Sequence, residues 1–287
     1  MKSTQAIHVD LWRLLQHKLG SKGKFLPHWL VRPLESLICQ DFINKTLEAL
    51  HPLRGPEFCR ALLRGLEASL SVHNSDKLPA NSRTIFVCNH PLGGLDGISL
   101  IAFLSEQYPG RIIRVVVNDL LMAIEPLADN FLPINKFGRQ DKGKAALINS
   151  VLAGDDPVLM FPAGLVSRIQ PGGIRDLDWQ KSFITMATSS DRPIVPLYFD
   201  GLNTGRFYRT AQLRTRLGLK FNIEQTLLPR EVLASRGNRF SLYCGEAMPA
   251  SLFHGGHDAG SEAARVRAMV YDLPSLPQSN TRDFLWK

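Results

Sequence analysis

The 287-residue sequence predicts a single α/β domain in which a largely parallel sheet is flanked by helices, preceded by an N-terminal pair of amphipathic helices. Three observations predict it. From about residue 84 onward, short apolar and β-branched runs alternate with helix-like stretches, the pattern of parallel strands joined by crossover helices. Upstream, in about residues 30–70, apolar residues recur at helical spacing. The chain is also long enough for one sizeable core, and its 44% hydrophobic and 21% charged content is that of a globular protein.

In chain order, Leu34, Ile38 and Phe42, with Leu37 beside them, form one apolar stripe, and Phe58, Leu62, Leu66 and Leu70 form another after the break at Pro52–Pro56. Such stripes serve either to pack on the core or to dock on a membrane. Residues 1–87 carry 12 Lys/Arg against 7 Asp/Glu, and Trp12, Phe25, Trp29 and Phe42 add interface-seeking aromatics, which favours docking. Thr84–Cys88 is then a short buried strand, Asp96–Glu106 a helix, and Arg111–Asn118 a strand. Leu120–Ala128 and Lys142–Leu152 read as helices, Pro157–Phe161 and Pro193–Phe199 as buried strands, and Trp179–Ser189 as the helix between them. Phe240–Cys244 is a late strand and Ser261–Tyr271 a final helix. The division that follows is 1–75 for the docking helices, 76–273 for the α/β domain and 274–287 for an extended tail.

The net charge of +8 and pI of about 9.5 draw the chain to anionic surfaces. Within residues 204–240 there are 8 Lys/Arg and 2 Asp/Glu, a cluster that supplements a basic membrane-facing or carrier-facing surface. Basic residues do not interleave with aromatics as in nucleic-acid modules, so nucleic acid is not an expected partner. Cys39, Cys59, Cys88 and Cys244 form no CxxC pair and read as reduced, buried hydrophobes of a cytosolic compartment. The N-terminal stretch MKSTQAIHVDLWRLLQ has neither a long apolar core nor a small-residue cleavage site, which argues against a secretory signal. No run of about 18 apolar residues occurs, so the expectation is a protein lying on a membrane rather than crossing it.

The chemistry concentrates in two segments. In Phe86–Gly97 an apolar strand empties into Asn89-His90, crosses Gly93-Gly94 and reaches Asp96 near a helix start. Strand C-terminal ends are where α/β sheets place catalysis. A carboxylate that holds one imidazole nitrogen protonated lets the other take a proton. The alternative is a hydrogen-bonded histidine beside a capping aspartate. In Val158–Arg168 a second strand empties into a Pro-Gly turn bearing Gly164, Ser167 and Arg168, which suits an oxyanion or phosphate, or is an ordinary turn. His254 and His257 lie three apart, but no further ligand of convincing spacing completes a metal site. There is no GxSxG elbow, GxGxxG or P-loop.

Taken in order, these segments resemble the glycerolipid acyltransferase family, which includes the lysophosphatidic acid acyltransferases. Asn89-His90…Asp96 resembles its first block, and Asn135-Lys136-Phe137-Gly138-Arg139 its second. Phe161-Pro162-Ala163-Gly164-Leu165-Val166-Ser167-Arg168 is similar to its third, Ile194-Val195-Pro196 to its fourth, and Lys181–Ala187 to the helix between the last two. The resemblance covers about residues 30–205. It implies transfer of an acyl chain from coenzyme A or acyl carrier protein to a lyso-lipid hydroxyl in a ternary complex, with no other cofactor. His90 would be the general base and Asp96 its partner. Arg139 and Arg168 would hold the acceptor's phosphate, and Asn89, Gly164, Ser167 and Lys181 would line the substrate site. It also implies docking by an N-terminal helix pair, and so a peripheral place on the cytoplasmic face of the plasma membrane.

Two departures stand out. Five residues separate His90 from Asp96 where the family has four, and the Gly93-Gly94 turn is expected to absorb the extra one. Ala163 stands where the family has glutamate. The acceptor pocket is therefore expected to differ, and the chain resembles the branch found beside N-acyltransferases that make amino-acid-containing lipids. A lyso-ornithine or lyso-glycine lipid then becomes a plausible acceptor. Two other readings stand against this one: a non-catalytic basic lipid-binding protein and a thioesterase or lipase-like hydrolase.

Overall fold

The computed structural model describes residues 8–20, 27–118, 121–122, 124–134, 142–219 and 222–286. Four helices come first, α1 (Leu11–Leu19), α2 (His28–Leu37), α3 (Gln40–Leu50) and α4 (Gly55–Gly65), followed by strand β1 (Ser69–His73). Then follow β2 (Ile85–Cys88), α5 (Leu95–Gln107), β3 (Arg114–Asn118), β4 (Phe131–Ile134), α6 (Lys142–Ala153) and β5 (Val158–Met160). A short hairpin, β6 (Arg168–Gln170) and β7 (Gly173–Arg175), precedes α7 (Ser182–Ser190) and β8 (Ile194–Asp200). The chain closes with α8 (Gly205–Arg216), α9 (Leu228–Ala234), β9 (Arg239–Cys244), α10 (Ala259–Asp272) and β10 (Thr281–Leu285).

Among the described residues the main sheet has eight strands in the order β10-β1-β9-β8-β2-β5-β3-β4. The contiguous run β8-β2-β5-β3-β4 is parallel, β9 reverses against β8, and β10 reverses against β1. Layering explains why β2 reads as an unbroken apolar run. Phe86 and Cys88 pack with α4 and α5 on one face, while Ile85 and Val87 pack with α7 and α10 on the other.

The N-terminal region differs from its sequence reading. The stripe Leu34–Ile38–Phe42 is not one helix, because Cys39 takes a left-handed conformation (φ 52°) between α2 and α3. The stripe through Leu70 is also split. Helix α4 ends at Gly65, and Glu67 (φ 53°) turns the chain while the Ala68 amide donates to the Leu63 carbonyl, a Schellman closure. Leu70 then lies in β1, between β10 and β9. Phe58, Cys59, Leu62 and Leu63 of α4 are buried in the main core, so α4 and β1 belong to the sheet domain and the boundary drawn near residue 75 falls before α4.

The segment read as an extended tail from 274 pairs through β10 along the sheet edge, with Phe284 and Trp286 buried. Helix expected over Leu120–Ala128 lies partly outside the described residues. The described part holds 3-10 structure at residues 121–122 and at Glu125–Leu127, and Pro126 would fall inside a single helix running through the whole stretch, which its missing amide breaks.

Arg192, two residues before β8, is fully buried. Its guanidinium donates to the carbonyls of Leu152 (3.1 Å), Val151 (2.9 Å), Gly154 (2.6 Å) and Asp156 (2.7 Å), closing the C-terminal end of α6. Burial pushes its pKa down to about 10, with the nearby Arg83 charge adding to the effect and Asp155 and Asp156 opposing it. The group therefore remains cationic at neutral pH.

Candidate active site

Strand β2 delivers His90 to the C-terminal end of the parallel strands. Asn89 fixes the delivery: its Nδ2 donates to the Phe199 carbonyl (2.9 Å), and its Oδ1 accepts from the Phe199 amide (2.7 Å). Both ends of this buried amide are committed to β8. Asn89, expected at the substrate, instead clamps two strands.

His90 Nδ1 lies 2.9 Å from Asp96 Oδ2. Asp96 is not the N-cap residue of α5; it sits one position inside the helix, after Leu95. From there its carboxylate reaches back. Oδ2 also accepts the amides of Leu92 (3.0 Å) and Gly93 (3.2 Å), and Oδ1 accepts the amide of Gly97 (2.9 Å). Burial alone would raise the pKa of this fully enclosed carboxyl. The His90 charge and hydrogen bond, with the Leu92 and Gly97 amides, outweigh it and hold Asp96 below its usual value.

Between His90 and Asp96 the chain turns at Gly93, whose φ is +75°. A Cβ there would overlap the side chains of Val166 and Leu228, so both the conformation and the close approach require glycine.

The second segment packs against this pair. The ring of Phe161, just after β5, stacks on His90 with centroids 4.2 Å apart. Gly164 (φ +60°) forms the turn, its amide donating to the Phe161 carbonyl at 2.9 Å. Ala163, which stands where the resembled family has glutamate, is buried among apolar side chains of the core facing α7. Ser167 is buried, and its amide donates to the His90 carbonyl at 2.9 Å, so its expected substrate contact is replaced by a tie between the two loops.

Arg168 departs furthest from expectation. Its guanidinium donates to Glu224 Oε1 (2.7 Å) and to the Val166 carbonyl (2.5 Å), and it lies over the Phe207 ring. Arg214 Nε sits 3.0 Å from the other oxygen of the fully buried Glu224, off the hydrogen-bond direction, as a charge contact. Arg168 is thus buried and ion-paired with Glu224, and it anchors α8 against the hairpin. Lys181 is exposed immediately before α7, and Arg139, with all of 135–141, lies outside the described residues.

Sequence reasoning missed Asp176, just after β7. This fully buried aspartate accepts a hydrogen bond from the His90 amide at 3.2 Å. The position of Asp176 past a short hairpin, 86 residues from His90, carried no local signal.

Chemically, an imidazole whose Nδ1–H is held by an ionised carboxylate carries its basic lone pair on Nε2 and suits proton abstraction from a hydroxyl. A model of the acyltransferase family matches residues 13–274. A protein of Phocaeicola vulgatus named lyso-glycine lipid O-acyltransferase is 37% identical over 265 residues, 92% of this chain and 95% of its own. One of the same name from Bacteroides thetaiotaomicron is 36% identical over 265 residues, 92% of this chain and 97% of its own. Among solved structures, the 1-acyl-sn-glycerophosphate acyltransferase PlsC of Thermotoga maritima aligns with a TM-score of 0.46 at 13% identity, over 87% of this chain and 94% of that one.

Proposed function

Because the chain belongs to the lysophospholipid acyltransferase family, we propose that it transfers a fatty acyl group from an acyl thioester to the hydroxyl of a lyso-amino-acid lipid, with His90 as general base. The observation that carries this reading is the His90–Asp96 pair at 2.9 Å, at the mouth of the parallel strands. In the step proposed, the acceptor hydroxyl gives its proton to His90 Nε2 as its oxygen attacks the thioester carbonyl carbon. The new ester C–O bond forms, the C–S bond breaks, and the proton passes from the imidazolium to the departing thiolate sulfur. Asp96 keeps Nδ1 protonated and stabilises the transient imidazolium.

A lyso-glycine lipid is the acceptor favoured, on two grounds. It is what the relatives are named for. The chain also lacks the third-block glutamate, and its third-block arginine is engaged with Glu224. Arg139 is the residue we assign to the acceptor's anionic headgroup. The donor is coenzyme A thioester or acyl carrier protein, both acidic and both suited to a basic protein.

Thiol release from acyl-coenzyme A and from acyl carrier protein, each with and without lyso-glycine lipid or lysophosphatidic acid, tests the reading. Release that requires the lyso-glycine acceptor is expected. Release without any acceptor would mark a hydrolase, and release only with lysophosphatidic acid would move the acceptor class.

A peripheral position on the cytoplasmic face of the plasma membrane is part of the same proposal, and a different set of residues supports it. Among the described residues no helix is long and apolar enough to cross a membrane. Trp29, Leu30 and Leu34 of α2 are 70%, 50% and 44% exposed. Leu37 of the same helix packs against the cluster of Phe207 and Tyr208 of α8, and Leu213 of that helix and Leu217 just after it are also exposed. Both acidic residues of 204–240 are turned inward, Glu224 to Arg168 and Glu231 to Thr204, so that region presents basic side chains to its surroundings. Exposed leucines and tryptophan beside arginines suit an anionic bilayer. Each apolar side chain taken into lipid is worth about 1.5–3 kcal/mol, so the pair Trp29→Ala and Leu30→Ala is expected to weaken sedimentation with phosphatidylglycerol vesicles by roughly a hundredfold or more. Unchanged sedimentation would remove α2 from the docking surface.

A further inference from the structure

Both main-chain polar groups of His90 are held by one short segment. The His90 amide donates to Asp176 Oδ1 at 3.2 Å, and the His90 carbonyl accepts from the Ser167 amide at 2.9 Å. Ser167 and Asp176 are themselves joined, Oγ donating to Oδ1 at 2.6 Å across the β6–β7 hairpin. The other carboxylate oxygen accepts Trp179 Nε1 at 2.9 Å. The Asp176 main chain is fastened as well. Its amide donates to the Tyr271 hydroxyl (2.7 Å), and its carbonyl accepts from Arg267 (2.6 Å) and Gln170 (2.7 Å). Three donors converge on a side chain with no exposed surface, more than a hairpin end needs for packing alone.

We propose that Asp176 is a positioning residue for acyl transfer: its carboxylate fixes the His90 main chain and supplies a second negative charge against which the His90 imidazolium forms. This rests on the reading of His90 as general base. The division of labour is clear from the atoms touched. Asp96 orients the ring through Nδ1, whereas Asp176 holds the peptide that carries the ring. A base displaced by about 1 Å loses on the order of a hundredfold in rate, which is the scale of what such a clamp protects.

The surrounding charges make the second role testable by pH. Asp96 faces the imidazole from α5, the Cys88 thiol lies at the end of β2, Tyr271 and Arg267 come from α10, and Arg175 precedes Asp176 in the chain. Burial drives Cys88 and Tyr271 well above their usual ranges, so both stay neutral near neutral pH. Asp96 is held below its usual value and remains ionised. Burial also pushes Asp176 upward, while the bonds from Ser167, Trp179 and the His90 amide pull it back.

Asp176→Asn removes the charge and nearly keeps the shape. It is expected to lower kcat about 10–100-fold with KM for donor and acceptor within about twofold. Loss of the anion makes the imidazolium less stable, so the acidic limb of the kcat/KM profile should move to lower pH. A wild-type kcat overturns the proposal, and a lowered kcat with an unmoved limb overturns its charge role. Should Asp176→Asn fail to fold by circular dichroism, Trp179→Phe takes its place. It removes one of the donors that hold the carboxylate while keeping a ring, so kcat should fall by less with KM within about twofold, and a wild-type kcat again counts against the proposal. His90→Ala run in parallel separates the two ideas. A fully active His90→Ala defeats the general-base reading, whereas an inactive one beside a wild-type-like Asp176→Asn defeats the Asp176 role alone.

Discussion

His90→Ala is expected to lower acceptor-dependent thiol release about 10²–10⁴-fold, the span over which a positioned general base accelerates proton transfer. The fold should survive, for reasons visible at each neighbour. The His90 side chain is 18% exposed and, among the described residues, stacks on Phe161, so the cavity left is open to water. Asp96 loses one of four donors but keeps the amides of Leu92, Gly93 and Gly97, so no buried charge is abandoned. The main-chain bonds of residue 90 to Asp176 and Ser167 do not involve the imidazole. Substrate binding should therefore persist, with the loss confined to kcat. Single-turnover thiol release alongside a thermal melt checks this. A variant that melts like wild type and turns over within a few-fold of it would show that His90 is a buried structural histidine, and the proposed mechanism would fail.

Arg192→Met is the variant expected to cost the most stability, about 3–5 kcal/mol, the scale for removing one partner from a buried charged network. Methionine replaces the apolar stem but leaves the carbonyls of Val151, Leu152, Gly154 and Asp156 without the guanidinium that satisfies them. Water has no ready access, because the arginine side chain is fully buried. For a domain of this size the melting temperature should fall by roughly 6–15 °C. Arg192 precedes the first residue of β8, at the strand end opposite His90, so kcat well below the melting range should stay near wild type. A shift of under about 2 °C would mean that the end of α6 finds other donors.

The same two residues show how differently sequence can speak. The His90–Asp96 pair was legible because both members lie on one strand–turn–helix unit, six positions apart. A glycine pair marked the turn between them, and the apolar run of β2 marked where the sheet ends. Arg192 was silent. An arginine before a strand reads as an exposed charge, and only the meeting of α6 and β8 provides the ring of carbonyls that makes its burial tolerable. Arg168 failed for the complementary reason. Its position after a Pro-Gly turn suggested an anion site, but Glu224, 56 residues downstream, folds over and neutralises it.

By itself, then, the sequence determined what depends on short separations along the chain. It set the strand–helix alternation from the apolar runs at Ile85–Cys88, Val158–Met160 and Ile194–Asp200, the helices between them, and the His90–Asp96 pair. Tertiary structure alone decided what depends on distant segments meeting. It split the N-terminal stripe at Cys39 and Glu67, drew β1 and β10 to the sheet edge, and turned Asn89 and Ser167 from substrate contacts into clamps. It also brought Asp176 to the His90 amide. The physical reason is common to all of these. Periodicity and turn residues record which way a side chain faces, whereas a buried polar group's role is set by the partner that satisfies it, and those partners lie on other elements of the fold.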